Sequence, residues 1–460
     1  VTIDSGTTAL GVQGTVSGNL VLTSGEAIID SDVLTVTGTT TVTTDVADKA
    51  INLGSLASTG NVIVSTLGTT GNVTIYSGTT ALGVQGTIGG DLVLTSGQAI
   101  TDSGTLTASG STTIDSGSAD ITLDEVASTF GTLSLTGANV AVTDAGATDL
   151  GASTVSGTLG ITSGGAVTSS GKSAITGATT ISASGQAVSL TNSDSTFGDF
   201  SVNAKDVYIV ESGSFSSTSI AAETIQVSAT EGVSVISTGD GLQLAAQSGT
   251  GNIDVVNTGG LVISELANIQ GIQFTDDTAS GKISLVAKSP LTINAPVDAK
   301  SGEVLLAASG SNASDDVTVN SNISGKTVNI YSGDSINVIG EAIIDSDFLD
   351  FYSGTNFNPD TKLTSIGTQN AGISFENISN LSGIQKLELP TLGVLTGKGR
   401  ITEFSSDGIA FMDDYFNALN PILEQTVRFD DIGITGSVES ELYDFVDSES
   451  SGSIEIEESN

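Results

Sequence analysis

Two stretches of this chain are almost the same peptide. Residues 1–23 read VTIDSGTTALGVQGTVSGNLVLT and residues 73–95 read VTIYSGTTALGVQGTIGGDLVLT, an offset of 72 with four differences in 23 positions. The self-similarity continues with drift. TSGQAITDSG at 95–104 returns as TSGGAVTSSG at 162–171, and ADITLDEVASTFGTLSL at 119–135 returns as QAVSLTNSDSTFGDFSV at 186–202, both at an offset of 67. At least three copies of a 67–72-residue unit cover the first ~210 residues. Periods of this kind mark chains whose unit buries its apolar face only against neighbouring copies.

Inside a unit, runs such as NLVLT, LTVTG, ITLDE and VAVTD alternate apolar and polar residues, the pattern of half-buried strands. Ser-Gly, Thr-Gly or an Asx residue ends each run, as turns require. Tandem β-sandwiches, a barrel or a solenoid could use such runs. Three features favour an all-β parallel β-helix, or β-solenoid. The unit divides into three coils of about 22–24 residues. Residues 1–289 hold no Pro, which cannot donate to a parallel ladder. Near-identical copies also suit a stack in which each coil touches only its neighbours. On this reading Ile3 and Ile75, or Phe130 and Phe197, sit three coils apart on one face, about 14 Å along the axis.

The composition changes near residue 340. All five Pro, the single Met and both Arg lie after residue 289, and nine of 14 Phe lie beyond 340. The expected organisation is a rod over 1–340, a more aromatic C-terminal cap or association region over 341–436, and an acidic tail over 437–460. Residues 407–421, DGIAFMDDYFNALNP, place Phe411, Met412, Tyr415, Phe416 and Leu419 on one helical face, and Asn420-Pro421 ends it. This helix covers the end of the solenoid or meets a partner. The tail contains SIEIE, with Ile454 and Ile456 alternating like a strand; it is a solvated tail or a strand added to a neighbour. Val1 begins inside a repeat, as expected for a mature or excised piece of a longer precursor. A first coil with no capping sequence ahead of it exposes strand edges. Val1 and the seven C-terminal residues named above are therefore the candidate interface.

Several chemistries fall away on composition. With no His and no Cys, imidazole and thiolate metal sites, His-based triads and disulfides are impossible. A net charge of −40, with 12 basic and 52 acidic residues, opposes binding to nucleic acid or anionic membrane. No apolar run reaches the length of a membrane-spanning helix, so no membrane insertion is expected.

The wording of TSGEAIIDSDVLTVTGTTTV, SADITLDEVASTFGTLSLTGANVAVTDA and DDVTVNSNISGKTVNIYSGDSINV resembles the repeat rods of bacterial two-partner-secretion exoproteins, the filamentous-haemagglutinin-like adhesins. The resemblance covers about residues 1–340 and rests on repeat style. It implies a right-handed β-helix, secretion through an outer-membrane β-barrel partner, and roles in adhesion, aggregation or matrix. That family's N-terminal secretion domain with Asn-Pro-Asn-type motifs has no counterpart here, and no functional residue carries over.

β-helices also include polysaccharide-degrading enzymes. The Asp pairs 276–277, 315–316, 413–414 and 430–431 place neighbours on opposite strand faces, so they do not by themselves aim two carboxylates at one sugar. An enzyme is not expected, nor is any cofactor. Calcium is the one metal an acidic turn could take, but Asp345, Asp347 and Asp350 only loosely suggest it and no specific site emerges. Two readings remain. One is a secreted bacterial structural protein, a filament or biofilm-matrix subunit joining identical subunits head-to-tail. The other is a cell-surface adhesin.

Overall fold

The computed structural model describes residues 1–309, 315–332, 336–339 and 342–346, together with the backbone of Ser335 and of the strands Phe348–Ser353, Asn356–Asn358 and Gly372–Ile378. Every regular element among the described residues is a strand. The helix expected over 407–421 and the SIEIE strand lie outside the described residues. The chain forms two compact units, Val1–Ala222 and Glu223–Asn460.

In the first unit all strands pair in parallel with strands about one coil later in the sequence. Leu10, Ile28, Ile51, Val73, Leu92, Thr112, Leu133, Leu150 and Ser169 form one ladder of consecutive partners. Eight such steps at the usual strand spacing make a stack of ~40 Å. Alternation does the packing. Leu20–Ser24 buries Leu20, Leu22 and Ser24 and turns Val21 and Thr23 outward. The same rhythm holds in Val62–Leu67 and Val140–Asp144. Burial of each Leu, Ile or Val is worth roughly 1.5–3 kcal/mol, and stacked equivalents supply it at every turn.

The registers correct the expected number of coils per repeat. Leu82 is the copy of Leu10, yet it belongs to a second ladder, Leu82, Ile100, Ile121, Val140, Leu159 and Thr179. Ile3 stacks on Leu22, Val42 and Val64, whereas Ile75 stacks between Leu53 and Leu94. Phe197 follows Thr196, which bridges Ala174, while Phe130 follows Thr129, which bridges Thr107 on the other ladder. Repeat copies therefore alternate between two sides of the coil. The reason is that a coil is built of two similar halves, each a strand and a turn. Half-turn strands start at Thr2, Leu10, Leu20, Ile28, Thr40, Ile51 and Val62, with Leu56–Ser58 continuing the Ile51 strand, before the next copy begins at Val73. Seven halves make three and a half turns, so three whole coils per unit is incorrect.

Turns are held by side chains rather than by loops packing on a core. Glycines stack where successive turns come closest. A Cβ on Gly60 would meet the carbonyl oxygen of Gly38; one on Gly131 would meet that of Gly110; one on Gly198 would meet that of Gly177. Buried hydroxyls end the strands and cap the turns. Ser77 Oγ donates to the Thr80 carbonyl at 2.8 Å, Ser96 Oγ to the same carbonyl at 2.8 Å, and Ser116 Oγ to the Ala119 carbonyl at 2.8 Å. Asx side chains reach one turn up: Asn72 accepts from the Asp91 amide, Asp91 from the Ser111 amide, and Asn139 from the Thr158 amide.

The second unit keeps parallel ladders with three short strands per coil. Val233, Ile253, Ile283, Val304 and Val328 form one ladder. Leu242, Leu261, Leu291, Val317 and Ile336 form another, and Ala246, Ile272, Val297, Ile323 and Ile344 the third. The turn between Ile253 and Ile283 is lengthened by a hairpin, Glu265–Leu266 against Ile269–Gln270, the single antiparallel pair among the described residues. Ala267 at φ 42° and Gly271 at φ 76° turn the chain out and back.

Candidate functional site

The candidate interface begins at Val1. Val1 is 65% exposed and Ile3 37%, and the Val1 ammonium donates to the Asn19 carbonyl at 2.7 Å. In the second copy Val73 and Ile75 are both 0% exposed, covered by Ile51 and Leu53 of the preceding turn. Val84 and Ile88 are likewise 0% exposed, against 7% for Val12 and a half-buried Val16. The peptide is the same and the cover differs. Phe411, Met412, Tyr415, Phe416, Leu419, Ile454 and Ile456 lie outside the described residues.

The acidic residues singled out for chemistry do separate jobs. Asp276 accepts from the amide and hydroxyl of Thr278, which hold its carboxyl below the usual range, while Asp277 pairs with Lys300 at 3.3 Å. Lys300, in a left-handed turn at φ 52°, also pairs with Asp298 at 2.8 Å, and that contact raises its ammonium above the ordinary value. Asp315 is buried, and Asp316 accepts from Asn337 Nδ2 at 3.2 Å. Asp345 is exposed on a short strand beside Ser324. Asp347, Asp413, Asp414, Asp430 and Asp431 lie outside the described residues, and of Asp350 only the backbone is described. Among the described residues no three carboxylates converge as a metal site would need.

Sequence reasoning missed a set of buried carboxyls that the repeat offset could have revealed. Asp102 is 6% exposed and accepts from the Asp124 and Glu125 amides and from Ser128 Oγ, one turn up. Burial pushes its carboxyl above the usual range, against those donors. Its copy Asp30 takes the Gly54 and Ser55 amides in the same way, and the third copy is Ser169, which accepts from the Thr191 amide. A second series is Ser5, Ser77, Asp144 and Glu211, each at the end of a strand and at the same place in the repeat. Asp144 is 1% and Glu211 4% exposed; burial raises both, Glu211 to about 7. Thr40, Thr112 and Thr179 form a third series. Each is fully buried, and its hydroxyl has no partner among the described residues.

Stacked parallel coils with side-chain-stapled turns make this a β-solenoid repeat protein. Residues 1–66, 70–136 and 137–203 each match a protein family described as repeats of unknown function (DUF5649). Those boundaries follow the repeat seen in the sequence. No curated protein and no solved structure matches the chain. The matched description names no activity, so the likeness to two-partner-secretion exoproteins rests on repeat style alone.

Proposed function

We propose that the protein is a secreted structural rod at the bacterial cell exterior, a subunit of a surface filament or matrix fibre that joins identical copies head-to-tail. It carries no catalytic role in this reading, and an outer-membrane secretion partner enters through the family resemblance alone. One observation carries the assembly step. Val73 and Ile75 are fully buried only because Ile51 and Leu53 of the preceding turn lie on them, so any solenoid turn covered on one axial side alone presents an apolar strip to a neighbour. The surface that covers the second copy, Ile51–Leu67, is itself made of such strands. An open parallel edge offers unpaired amides and carbonyls together with an apolar strip, and a head-to-tail contact of this kind propagates without closing.

The test is electron microscopy and sedimentation of the chain beside Ile3→Lys, which puts a charge into the strip that a neighbouring copy would cover. Filaments from the first and shorter polymers or single rods from the second are expected. A chain that stays monomeric up to high concentration, with screening salt present, overturns the reading.

The adhesin reading draws on a different feature, the hairpin at Glu265–Gln270, which leaves the ladder and returns to it. It requires that deleting residues 265–270 abolish attachment to cells or surfaces while leaving the solenoid folded.

A further inference from the structure

The second and third repeats contain the same clasp built twice. In the first instance Ser128 Oγ accepts from the Leu106 amide, the Thr129 amide donates to the Leu106 carbonyl, and the Ala145 amide donates to the Ser128 carbonyl at 2.8 Å. In the second, Ser195 Oγ accepts from the Ser173 amide, the Thr196 amide donates to the Ser173 carbonyl, and the Ser212 amide donates to the Ser195 carbonyl at 2.8 Å. Each clasp closes on a buried carboxyl one residue before that last amide. Asp144 takes the first place and Glu211 the second.

The two carboxyls are not equally supported. Asp144 accepts from the Gly146 amide at 2.9 Å, from Thr148 Oγ1 at 3.2 Å and from the Phe130 amide. Glu211 accepts from the Phe197 amide at 2.8 Å, its one donor among the described residues. An ionised carboxylate out of water needs two or three such donors to be tolerated. The amide that Glu211 accepts from belongs to an aromatic cluster. Phe197 packs against Phe200 with ring centroids 5.0 Å apart, and Phe200 stacks on Phe215 at 5.4 Å. The strands next along the chain, Thr179–Leu190, Phe215–Ala221 and Thr224–Ala229, carry no titratable side chain, and Glu223 between the last two is exposed. The 191–199 loop carries Asp194 and Asp199, both exposed, and on its own strand Lys205 and Asp206 face each other in solvent. None of these is a base that could share the Glu211 proton or a cation that could neutralise its charge.

The geometry points to a pH-operated latch: Glu211, when neutral, holds the Ser195–Gly198 loop and the Ser212 turn closed over the Phe197–Phe200–Phe215 stack, and when ionised it lets them open, while the Asp144 clasp stays shut. The sign follows from burial. The native carboxyl is raised to about 7 from an unfolded value of 4.5, so the closed form binds the proton more tightly. Its stabilising effect is complete below the unfolded value. It declines as pH rises from there through about 7, and is gone above that.

Hydrogen exchange on the full chain reads this directly. After correction for intrinsic rates, protection of the Phe197 and Ser212 amides should fall on the order of tenfold or more between pH 5 and pH 8. The Phe130 and Ala145 amides of the Asp144 clasp should fall less. Glu211→Gln should flatten the Phe197 and Ser212 profiles, and Asp144→Asn should leave them unchanged. A constant ratio between the two clasps across this pH range overturns the latch, as does a pH dependence that survives Glu211→Gln. Should that variant not fold, the carboxyl carbon of Glu211 in the unaltered protein serves instead. A midpoint near 4, the ordinary glutamate range, rejects the proposal.

Discussion

The first and second copies of VTI-x-SGTTALGVQGT share their sequence and differ in their surroundings. In the second, Ile75 lies between Leu53 and Leu94; in the first, Ile3 has Leu22 on one side only. Strand, alternation and turn chemistry are the same in both. What changes is whether a turn lies beneath, and that alone takes the side chain from 37% exposed to 0%. A solenoid residue is thus core or surface according to its neighbours along the axis, not according to its own sequence.

The difference can be broken by paired substitutions. Ile75→Ala should cost about 2–4 kcal/mol in chemical denaturation, through lost burial and a residual cavity, and Ile3→Ala should cost less than about 1 kcal/mol. Equal costs would mean that the first turn is covered in solution. Removing a staple comes next. Asp102→Ala strands the Ser128 hydroxyl inside the stack and two half-buried amides beside it, a loss of about 2–3 kcal/mol, whereas Asp30→Ala leaves the Gly54 and Ser55 amides free to meet water and should cost roughly half of that. Because burial raises the native Asp102 carboxyl, its contribution is lost as pH rises through the native value, so Asp102→Asn should make stability less steeply dependent on pH in the acid range.

Glycine offers a smaller contrast. A Cβ on Gly90 would run into the Asn72 side-chain oxygen and sit 3.1 Å from the Asn72 nitrogen and the Gly71 carbonyl carbon, while one on Gly18, its first-copy equivalent, meets nothing within 4 Å. Gly90→Ala should destabilise by about 1–2 kcal/mol and Gly18→Ala should be neutral or slightly stabilising, as thermal melts would register. The smallest effect has the opposite sign. Thr112→Val exchanges a buried hydroxyl without a partner for a methyl in a 0%-exposed site, and should stabilise by roughly 1 kcal/mol. Thr74→Val, on the outward side of its strand, should change little.

Much of this was legible before any coordinates. Period-two runs such as NLVLT name their own inward residues, because side chains alternate along a strand whatever its partner. The 72- and 67-residue offsets announced a stack, and the absence of Pro from 1–289 announced ladders with no place for a missing donor. The buried carboxyls were less visible. Asp144 and Glu211 look like ordinary turn acids until the offset aligns them with Ser77, and nothing local distinguishes Asp102, inside the stack, from solvated acids nearby.

The sequence by itself determined the class of fold, the strands and the repeat, since those depend on local alternation, turn residues and self-similarity. Only the tertiary structure decided the register. A ladder is set by which turn lies over which, and seven half-turns per repeat place Leu82 on the opposite side from Leu10 although both begin the same peptide. Tertiary structure also decided which acids are buried and how many donors each finds. For Asp102 the donors come from the next turn, about twenty residues away, where the Asp124 and Glu125 amides close on it. Alternation fixes the face of a strand on which a side chain lies, but the stack fixes what that face meets.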